Sequence, residues 1–207
     1  MHSTLFLGDS YTIGEGVPLA GSYPYQTIAL LRRGGHPFYA PEIIAHTGWT
    51  TDELMMAIRR TTLLRSYSYV MLLIGVNNQY RGRDSGEYAI QFAQLHEQAC
   101  RLAPDPRHIF VLSIPDWGVS PFAADRDRSA IARQIDAFNA IAREISGREG
   151  TAFIDITTHS RTTGADPRAF VADGLHPAIT TYGHWATDLS QRIIATLKGP
   201  AAASESA

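Results

Sequence analysis

Short apolar runs alternate with longer amphipathic segments along this chain, and this alternation is the feature that most constrains its fold. The predicted strands are 4–7, 42–45, 69–74, 109–113 and 152–154, and the predicted helices are 25–33, 51–64, 85–102, 129–147 and 179–197. Strands separated by helices pair in parallel through right-handed crossovers, and the helices cover the sheet. The pattern therefore predicts an α/β domain with a parallel sheet of about five strands.

Two of the predicted helices carry further local signals. The segment 129–147 places apolar residues at helical spacing, and Ser129 is a residue type that caps helix N-termini. Asp52 and Glu53 favour the first turn of helix 51–64, where they face the positive end of the helix dipole. No repeat or linker divides the chain, so we predict one domain over 1–198 and a frayed tail over 199–207.

The composition argues against several function classes. A chain of 207 residues that is 44% hydrophobic and 18% charged suits one globular domain with a sizeable core. Its net charge of −2 and its scattered arginines differ from the basic face of a nucleic-acid-binding protein. Cys100 is the single cysteine, which excludes an internal disulfide, and we predict that it packs within a helix. No histidines or carboxylates show the spacing of a zinc or calcium site, so we expect neither a metal nor a cofactor.

The apolar stretches of the chain are short. The longest one, 70–74, is far too short to cross a bilayer, and three residues precede the first predicted strand. We therefore expect a cytoplasmic protein without stable membrane insertion. A leader removed from the natural protein stays open as an alternative, and the sequence does not define an oligomeric state.

Residues suited to nucleophilic catalysis stand near both ends of the chain. Gly8-Asp9-Ser10-Tyr11 comes directly after the first predicted strand. Ser10 should therefore lie at the carboxyl edge of the sheet, where parallel α/β proteins bind ligands. Asp173 and His176 stand three residues apart in one predicted loop. A serine becomes a nucleophile when a base takes its proton and a third group orients that base, so these residues predict a serine hydrolase.

Two further residues at strand ends suit acyl transfer. Gly48 follows the second predicted strand and precedes a helix, where its backbone N–H can approach a ligand oxygen. Asn77 follows the third strand, where its side-chain amide can stabilise an oxyanion. Each signal alone is ordinary turn chemistry. Their joint placement on successive strand ends favours a catalytic site.

Four blocks of this chain resemble the SGNH or GDSL esterases and lipases over nearly its full length. Gly8-Asp9-Ser10-Tyr11 is similar to the Gly-Asp-Ser-Leu block of that family. Gly48 matches the glycine of the second block, Asn77 the asparagine of the third, and Asp173-x-x-His176 the final Asp-x-x-His block.

The resemblance implies both a fold and a set of roles. The fold would be a single flavodoxin-like three-layer α/β/α domain. Ser10 would be the nucleophile, His176 the general base, and Asp173 the residue that orients the base. The backbone N–H groups of Ser10 and Gly48 and the side chain of Asn77 would form the oxyanion hole.

The chain departs from the family pattern at two positions. Tyr11 replaces the leucine after the nucleophile, and we expect it to pack locally without affecting the mechanism. Asn78 stands where aspartate is common in the family. Asparagine has the size of aspartate and most of its hydrogen-bonding capacity, so we predict a structural role for Asn78. The Gly-x-Ser-x-Gly motif is absent from the sequence, which argues against the nucleophile elbow of the α/β-hydrolases.

Other polar residues near these blocks have simpler interpretations. We predict that Asp9 hydrogen-bonds the turn around Ser10 and takes no direct part in catalysis. His184 and Trp185 should pack within the last helix. His46 either lines the substrate pocket or is a loop histidine satisfied by nearby backbone.

The candidate pocket residues are less well defined. Four aromatic residues on strand-end loops are candidates to line it, namely Trp49, Tyr80, Trp117 and Phe122, although such residues also cover protein cores. Arg81 and Arg83 add two cations near Asn77 that could attract an anionic leaving group.

The predicted reaction is hydrolysis of a small-molecule ester through an acyl-enzyme. Short acyl groups, including acetyl groups on sugars, are the favoured substrates. A lysophospholipase or acyl-thioesterase with a long apolar channel is the alternative. A non-catalytic binding protein on the same fold is disfavoured because every catalytic position holds the required residue type.

Overall fold

In the computed structural model, which describes residues 1–198, five parallel strands form a single sheet. The strands are β1 (Thr4–Gly8), β2 (Glu42–Ala45), β3 (Tyr69–Leu73), β4 (Ile109–Leu112) and β5 (Ala152–Ile154). The order β2-β1-β3-β4-β5 is that of a flavodoxin-like fold. The predicted α/β architecture is thus confirmed, and the predicted tail 199–207 lies outside the described residues.

Eight α-helices are present within the described residues. They are α1 (Ser10–Ile13), α2 (Tyr23–Arg33), α3 (Thr51–Arg60), α4 (Val76–Tyr80), α5 (Ser85–Leu102), α6 (Arg128–Arg148), α7 (Thr157–Thr163) and α8 (Ile179–Leu197). α2 packs against α8 on one face of the sheet, and α5 packs against α3 and α6 on the other. The result is the three-layer arrangement that the family resemblance implied. No helix in residues 1–198 has the length and hydropathy needed to span a membrane.

The core lies on both faces of the three central strands. Every residue of β1, β3 and β4 is buried, as expected for strands covered by helices on both sides. The apolar stripe predicted on α6 faces this core, with Ile131, Ile135 and Phe138 buried. The rigid central strands therefore end at a well-defined edge, and their last residues position the loops that follow.

Three of the five predicted helices have different bounds in the structure, and α2 begins at Tyr23, two residues before its predicted start. α3 ends at Arg60, four residues before the predicted end, because Thr61 adopts an extended backbone with φ −98° and ψ 136°. α6 begins at Arg128 and is capped by Asp127 instead of Ser129. The Asp127 carboxylate accepts the backbone N–H of Ala130 at 2.9 Å, and the Ser129 hydroxyl donates to the same carboxylate.

Three short helices were not predicted. α1, α4 and α7 have four, five and seven residues and lie in segments predicted to be irregular. Such lengths are too short for a hydrophobic period to show in the sequence. Two of these short helices carry predicted site residues, since Ser10 lies in α1 and Asn77 lies in α4.

Candidate active site

The five residues predicted to perform catalysis converge at the carboxyl edge of the sheet. Ser10 begins α1 directly after β1, Gly48 lies in the turn after β2, and Asn77 lies in α4 after β3. Asp173 and His176 lie in the loop before α8. Ser10, Gly48, Asn77 and His176 line one cavity of about 180 Å³, and Asp173 contacts His176 from behind it.

The turn that presents Ser10 is tightly constrained. A Cβ at Gly8 would lie 2.5 Å from the Leu73 carbonyl oxygen, so only glycine lets α1 start beside β3. Asp9 caps α1 by accepting the backbone N–H of Tyr11 at 3.0 Å, as predicted. Asp9 is buried, and this burial raises the pKa of its carboxyl to about 7. Its second oxygen has no hydrogen-bond partner among residues 1–198.

The loop from Asp173 to His176 forms a compact hydrogen-bonded unit. One Asp173 oxygen lies 2.6 Å from His176 Nδ1, and the other accepts the backbone N–H groups of Leu175 and His176 at 2.8 and 3.0 Å. Partial burial raises the pKa of the Asp173 carboxyl, but these hydrogen bonds outweigh it and hold the pKa below its usual value. An ionised Asp173 places the imidazole proton on Nδ1 and leaves Nε2 as a proton acceptor.

Tyr11 packs behind the His176 imidazole. Its ring meets the His176 ring edge-on at 5.8 Å and the Trp185 ring at 6.1 Å. Trp185 is buried within α8, in agreement with the predicted packing role. The tyrosine that replaces the family leucine therefore supports the His176 imidazole from the core side.

Ser10 and His176 share the cavity without a direct hydrogen bond. Within the part of the chain that the structure describes, the His176 ring is hydrogen-bonded to Asp173 alone. Ser10 lies on the same cavity and is 6% exposed. Hydrogen bonds between nucleophile and base are often long in unliganded enzymes and tighten when substrate binds.

Two of the three predicted oxyanion donors, Gly48 and Asn77, lie on facing segments. Gly48 has φ +84°, a left-handed conformation that favours glycine. The Asn77 amide donates one hydrogen to the Trp49 carbonyl at 2.9 Å, which fixes the orientation of the side chain. Because the amide carries two hydrogens, a second remains for a ligand oxygen in the cavity.

Asn78 holds α3 and α4 together. It is fully buried, and its side-chain oxygen accepts the Thr51 backbone N–H at 3.1 Å. Its amide donates to the Thr51 hydroxyl at 2.7 Å. The structural role predicted for this residue agrees with these contacts.

Three of the four predicted pocket aromatics line the cavity, and one does not. Tyr80, Trp117 and Phe122 pack with ring centroids 5.3 to 6.3 Å apart. Trp49 lies outside the lining, because its ring stacks on His46 at 5.4 Å and only its carbonyl reaches the site. His46 also lies outside the lining and contacts the Thr47 carbonyl, so it is a satisfied loop histidine.

Further residues around the cavity were not singled out from the sequence. Leu175 lines it from within the Asp-x-x-His block, and Val76 lines it from the start of α4. Leu175 precedes His176 and Val76 precedes Asn77 in the sequence, and this proximity to predicted catalytic residues could have identified both as pocket residues.

The two cations near Asn77 are paired within the protein. Arg81 donates to the Gly48 carbonyl at 2.6 Å and lies 3.4 Å from Glu53. Arg83 lies 2.6 Å from Asp52. These pairings favour a structural role for both arginines over the alternative that they attract an anionic leaving group.

The chain is similar to known hydrolases in sequence pattern and in structure. Residues 6–184 match the model of the GDSL-like lipase/acylhydrolase family. The fold is similar to a lipase/acylhydrolase from Enterococcus faecalis (TM-score 0.76, 16% identity, 95% of this chain and 97% of that chain covered). It is also similar to Axe2, an acetylxylan esterase from Geobacillus stearothermophilus (TM-score 0.74, 17% identity, 93% and 94% covered). A third similar structure is TesA (TM-score 0.70, 20% identity, 95% and 98% covered). Comparison with curated proteins yields no match by sequence.

Proposed function

Because the chain belongs to the GDSL-like lipase/acylhydrolase family, we propose that it is a serine esterase acting on short-acyl esters. The observation that carries this proposal is the 2.6 Å contact between Asp173 and His176, with His176 lining the same cavity as Ser10. The three residues have the chemical types that a nucleophile, a base and an orienting carboxylate require, and His176 contacts the carboxylate while it shares the cavity with Ser10.

Acylation begins when Ser10 attacks the acyl carbonyl carbon. His176 Nε2 takes the hydroxyl proton as the Ser10 Oγ–carbon bond forms, and Asp173 stabilises the resulting imidazolium. The tetrahedral intermediate collapses, the carbon–oxygen bond to the alcohol breaks, and His176 protonates the departing alkoxide. A water molecule then attacks the acyl-enzyme by the same route, which releases the carboxylic acid and restores Ser10.

Charge on the carbonyl oxygen is met by three donors. These are the backbone N–H groups of Ser10 and Gly48 and the second amide hydrogen of Asn77. Donors already in place where negative charge develops stabilise the transition state more than the ground state, since they need no reorganisation during the reaction.

The size and walls of the cavity support a short acyl group. Its volume of about 180 Å³ is small for a ligand pocket, and the apolar side chains of Trp117 and Leu175 are part of its lining. Trp117 is held in place because its indole N–H donates to Gln79 at 2.7 Å. A long acyl chain would need a larger apolar space than this cavity provides.

The mouth of the cavity suits a sugar-like alcohol. Tyr80 and Phe122 line it and remain 48% and 41% exposed. Exposed aromatic faces pack well against the apolar faces of sugar rings. Acetyl groups on sugars therefore combine a small acyl part with an alcohol part that these rings can contact.

Hydrolysis of p-nitrophenyl esters and acyl-CoA thioesters of increasing chain length tests the proposal. We expect the highest kcat/KM for acetyl esters and a steep fall beyond butyryl. A maximum at long chains or on thioesters would favour the lysophospholipase or thioesterase alternative.

Replacing Ser10 by alanine tests the nucleophile directly. We expect Ser10→Ala to lower kcat by at least ~10³, since the substitution removes the hydroxyl that forms the acyl-enzyme. A serine-directed organophosphonate should label Ser10 in the wild type, and Ser66→Ala serves as a matched control on an exposed loop serine. Labelling at another serine, or a fully active Ser10→Ala enzyme, would overturn the assignment.

A further inference from the structure

Side chains hold three successive backbone carbonyls in the turn that carries Gly48. His46 Nδ1 contacts the Thr47 carbonyl at 2.9 Å, Arg81 donates to the Gly48 carbonyl at 2.6 Å, and Asn77 donates to the Trp49 carbonyl at 2.9 Å. A short turn of this kind would otherwise leave these groups to water, and glycine would allow its peptide units to rotate. The turn is therefore held in one conformation by groups outside its own backbone.

Arg81 makes the shortest of these three hydrogen bonds, and its donor is charged. Charge-assisted hydrogen bonds are roughly twice as strong as neutral ones. The guanidinium also lies beside the Gly48 α-carbon, since a Cβ built there would be 3.4 Å from Arg81 Nη2, an ordinary van der Waals contact. Arg81 thus contacts the glycine whose left-handed conformation the turn depends on.

Through Arg81, two of the three oxyanion donors, Gly48 and Asn77, depend on the same short helix, α4. Arg81 is the C-cap residue of α4, and Asn77 lies four residues earlier, one helical turn away. Both side chains reach the same turn, Asn77 at the Trp49 carbonyl and Arg81 at the Gly48 carbonyl. A movement of α4 would therefore shift the Asn77 amide and the Gly48 turn together.

The other side of the guanidinium is held by α3. Arg81 Nη1 lies 3.4 Å from a Glu53 oxygen that also accepts the Thr50 backbone N–H at 2.9 Å. Partial burial raises the pKa of the Glu53 carboxyl, but its bonds to Thr50 and the charge of Arg81 outweigh it and hold the pKa below its usual value. Glu53 is therefore ionised at neutral pH and fixes Arg81 between α3 and the turn.

We propose that Arg81 is a positioning residue that holds the Gly48 backbone N–H in the oxyanion hole. The inference rests on the proposed esterase function. Arg81 itself forms no bond to the reacting atoms, and its contribution passes through the conformation of Gly48. Its loss should therefore reduce stabilisation of the transition state while leaving substrate binding nearly unchanged.

Kinetics of Arg81→Met with p-nitrophenyl acetate test this role. The unbranched methionine side chain replaces the apolar methylene groups of arginine but has no hydrogen-bond donor. Removing a whole oxyanion donor costs about 10²–10³ in kcat. We expect loosening of one donor to lower kcat by about 10- to 50-fold, with KM within about twofold of the wild type.

Two further variants separate position from charge. Arg81→Lys keeps the charge but lacks the planar fork that spans Gly48 and Glu53, so its kcat should fall between the wild type and Arg81→Met. Arg83→Met is the matched control, because Arg83 pairs with Asp52 and Glu87 and makes no contact with the turn among the described residues. We expect Arg83→Met to keep wild-type kcat.

A second measurement reports on the oxyanion hole alone. An acetyl-type trifluoromethyl ketone adds to the active serine and places an oxyanion where the transition state carries one. Its affinity should fall in Arg81→Met by the same factor as kcat/KM. A melting temperature close to that of the wild type, and partial recovery of Arg81→Ala by added guanidinium ion, would exclude a loss of fold as the cause.

The possible outcomes are distinct. A wild-type kcat in Arg81→Met, or a raised KM with unchanged kcat, would overturn the positioning role, and the latter would identify Arg81 as a substrate-binding cation. Absence of ester hydrolysis by the wild-type protein would instead overturn the proposed function, and the inference with it.

Discussion

The proposed acid–base half of the site lies within four consecutive residues, whereas the proposed oxyanion half joins segments far apart in the chain. Asp173 and His176 contact each other across three positions. The contacts of Asn77 with Trp49 and of Arg81 with Gly48 span 28 and 33 positions. The first half is thus a local loop, and the second is a contact between the turn after β2 and the helix after β3.

The difference has a physical consequence. The Asp173 carboxylate organises its own loop, because it accepts two backbone N–H groups besides the imidazole. The oxyanion half has no such local centre and depends on how α3 and α4 pack. Distant substitutions in those helices should therefore disturb oxyanion stabilisation before they disturb proton transfer.

The Asp173→Asn variant should have the largest effect, and it tests the local loop formed by Asp173 and His176. In Asp173→Asn, the side-chain oxygen can still accept the backbone N–H groups of Leu175 and His176. The amide N–H₂ would face His176 Nδ1, however, and would favour the tautomer that carries its proton on Nε2, which cannot act as a base there. We expect a loss of ~10⁴ in kcat with the fold intact, measured by steady-state hydrolysis and circular dichroism.

Asp166→Asn provides the control for that variant. Asp166 accepts the backbone N–H of Arg168 at 3.0 Å in the same stretch of chain and lies outside the cavity around Ser10. Its replacement should leave kcat unchanged. A loss below about tenfold in Asp173→Asn would show that the loop holds His176 without help from the charge.

The turn that carries Ser10 is a second local unit, and its carboxylate behaves differently. Burial raises the pKa of Asp9 to about 7 in the folded protein, against about 4 in an unfolded chain. Between these values the folded protein keeps a proton that the unfolded chain has released. The free energy of unfolding should therefore fall as the pH rises from about 4 to about 7.

Asp9→Asn should remove this pH dependence. Asparagine carries no charge and can still accept the Tyr11 backbone N–H, so we expect it to stabilise the protein by about 4 kcal/mol above pH 7. Urea denaturation across the pH range measures the effect. Identical pH slopes in wild type and variant would mean that Asp9 is ionised in the folded state, and loss of activity in the variant would mean that Asp9 does more than cap the turn.

The long-range half is tested by Asn77→Ala. If the amide donates to the oxyanion, the folded variant should lose ~10²–10³ in kcat with KM little changed. Asn78→Ala is the control one position away. Because the Asn78 side chain is buried and bonded to Thr51, its loss should destabilise the protein by about 1–3 kcal/mol and change kcat less. Near-normal kcat in folded Asn77→Ala would leave the two backbone donors to hold the charge alone.

The same division explains which features the sequence could predict. The strand ends agree with the prediction within one residue, because buried parallel strands are short apolar runs bounded by polar residues. The Asp173–His176 unit could be predicted because it is local. α4 could not, because its five residues are stabilised by their surroundings and show no period of their own.

Contacts between segments far apart in the chain could likewise not be predicted from the sequence. Arg81 carries no sequence signal that it will meet Gly48, since that contact depends on the packing of the turn after β2 against α4. Trp49 shows the same limit. Its aromatic ring on a strand-end loop suggested a pocket residue, but the turn directs that ring onto His46 and the Trp49 carbonyl toward Asn77.

The smallest expected effect is the contribution of the Asp173 carboxylate to the free energy of unfolding. Hydrogen bonds hold the pKa of Asp173 below its usual value despite partial burial, which acts to raise it. A carboxyl with a depressed pKa contributes stability above its unfolded pKa of about 4 and loses that contribution as the pH falls through its folded pKa. The Asp173 side chain is 43% exposed, so solvent screening should keep the contribution below about 1 kcal/mol.

Asp9→Asn is the suitable background for this measurement, because it removes the opposing slope of Asp9. Unfolding free energies between about pH 5 and pH 2 should fall further in Asp9→Asn than in the Asp9→Asn/Asp173→Asn double variant. All other carboxylates are shared by the two proteins, so the difference isolates the Asp173 loop. Parallel curves would show that the loop gains no stability from its carboxylate. The packing of Tyr11 against His176, a contact across 165 positions, would then hold the base, and the acid–base half would depend on distant segments as the oxyanion half does.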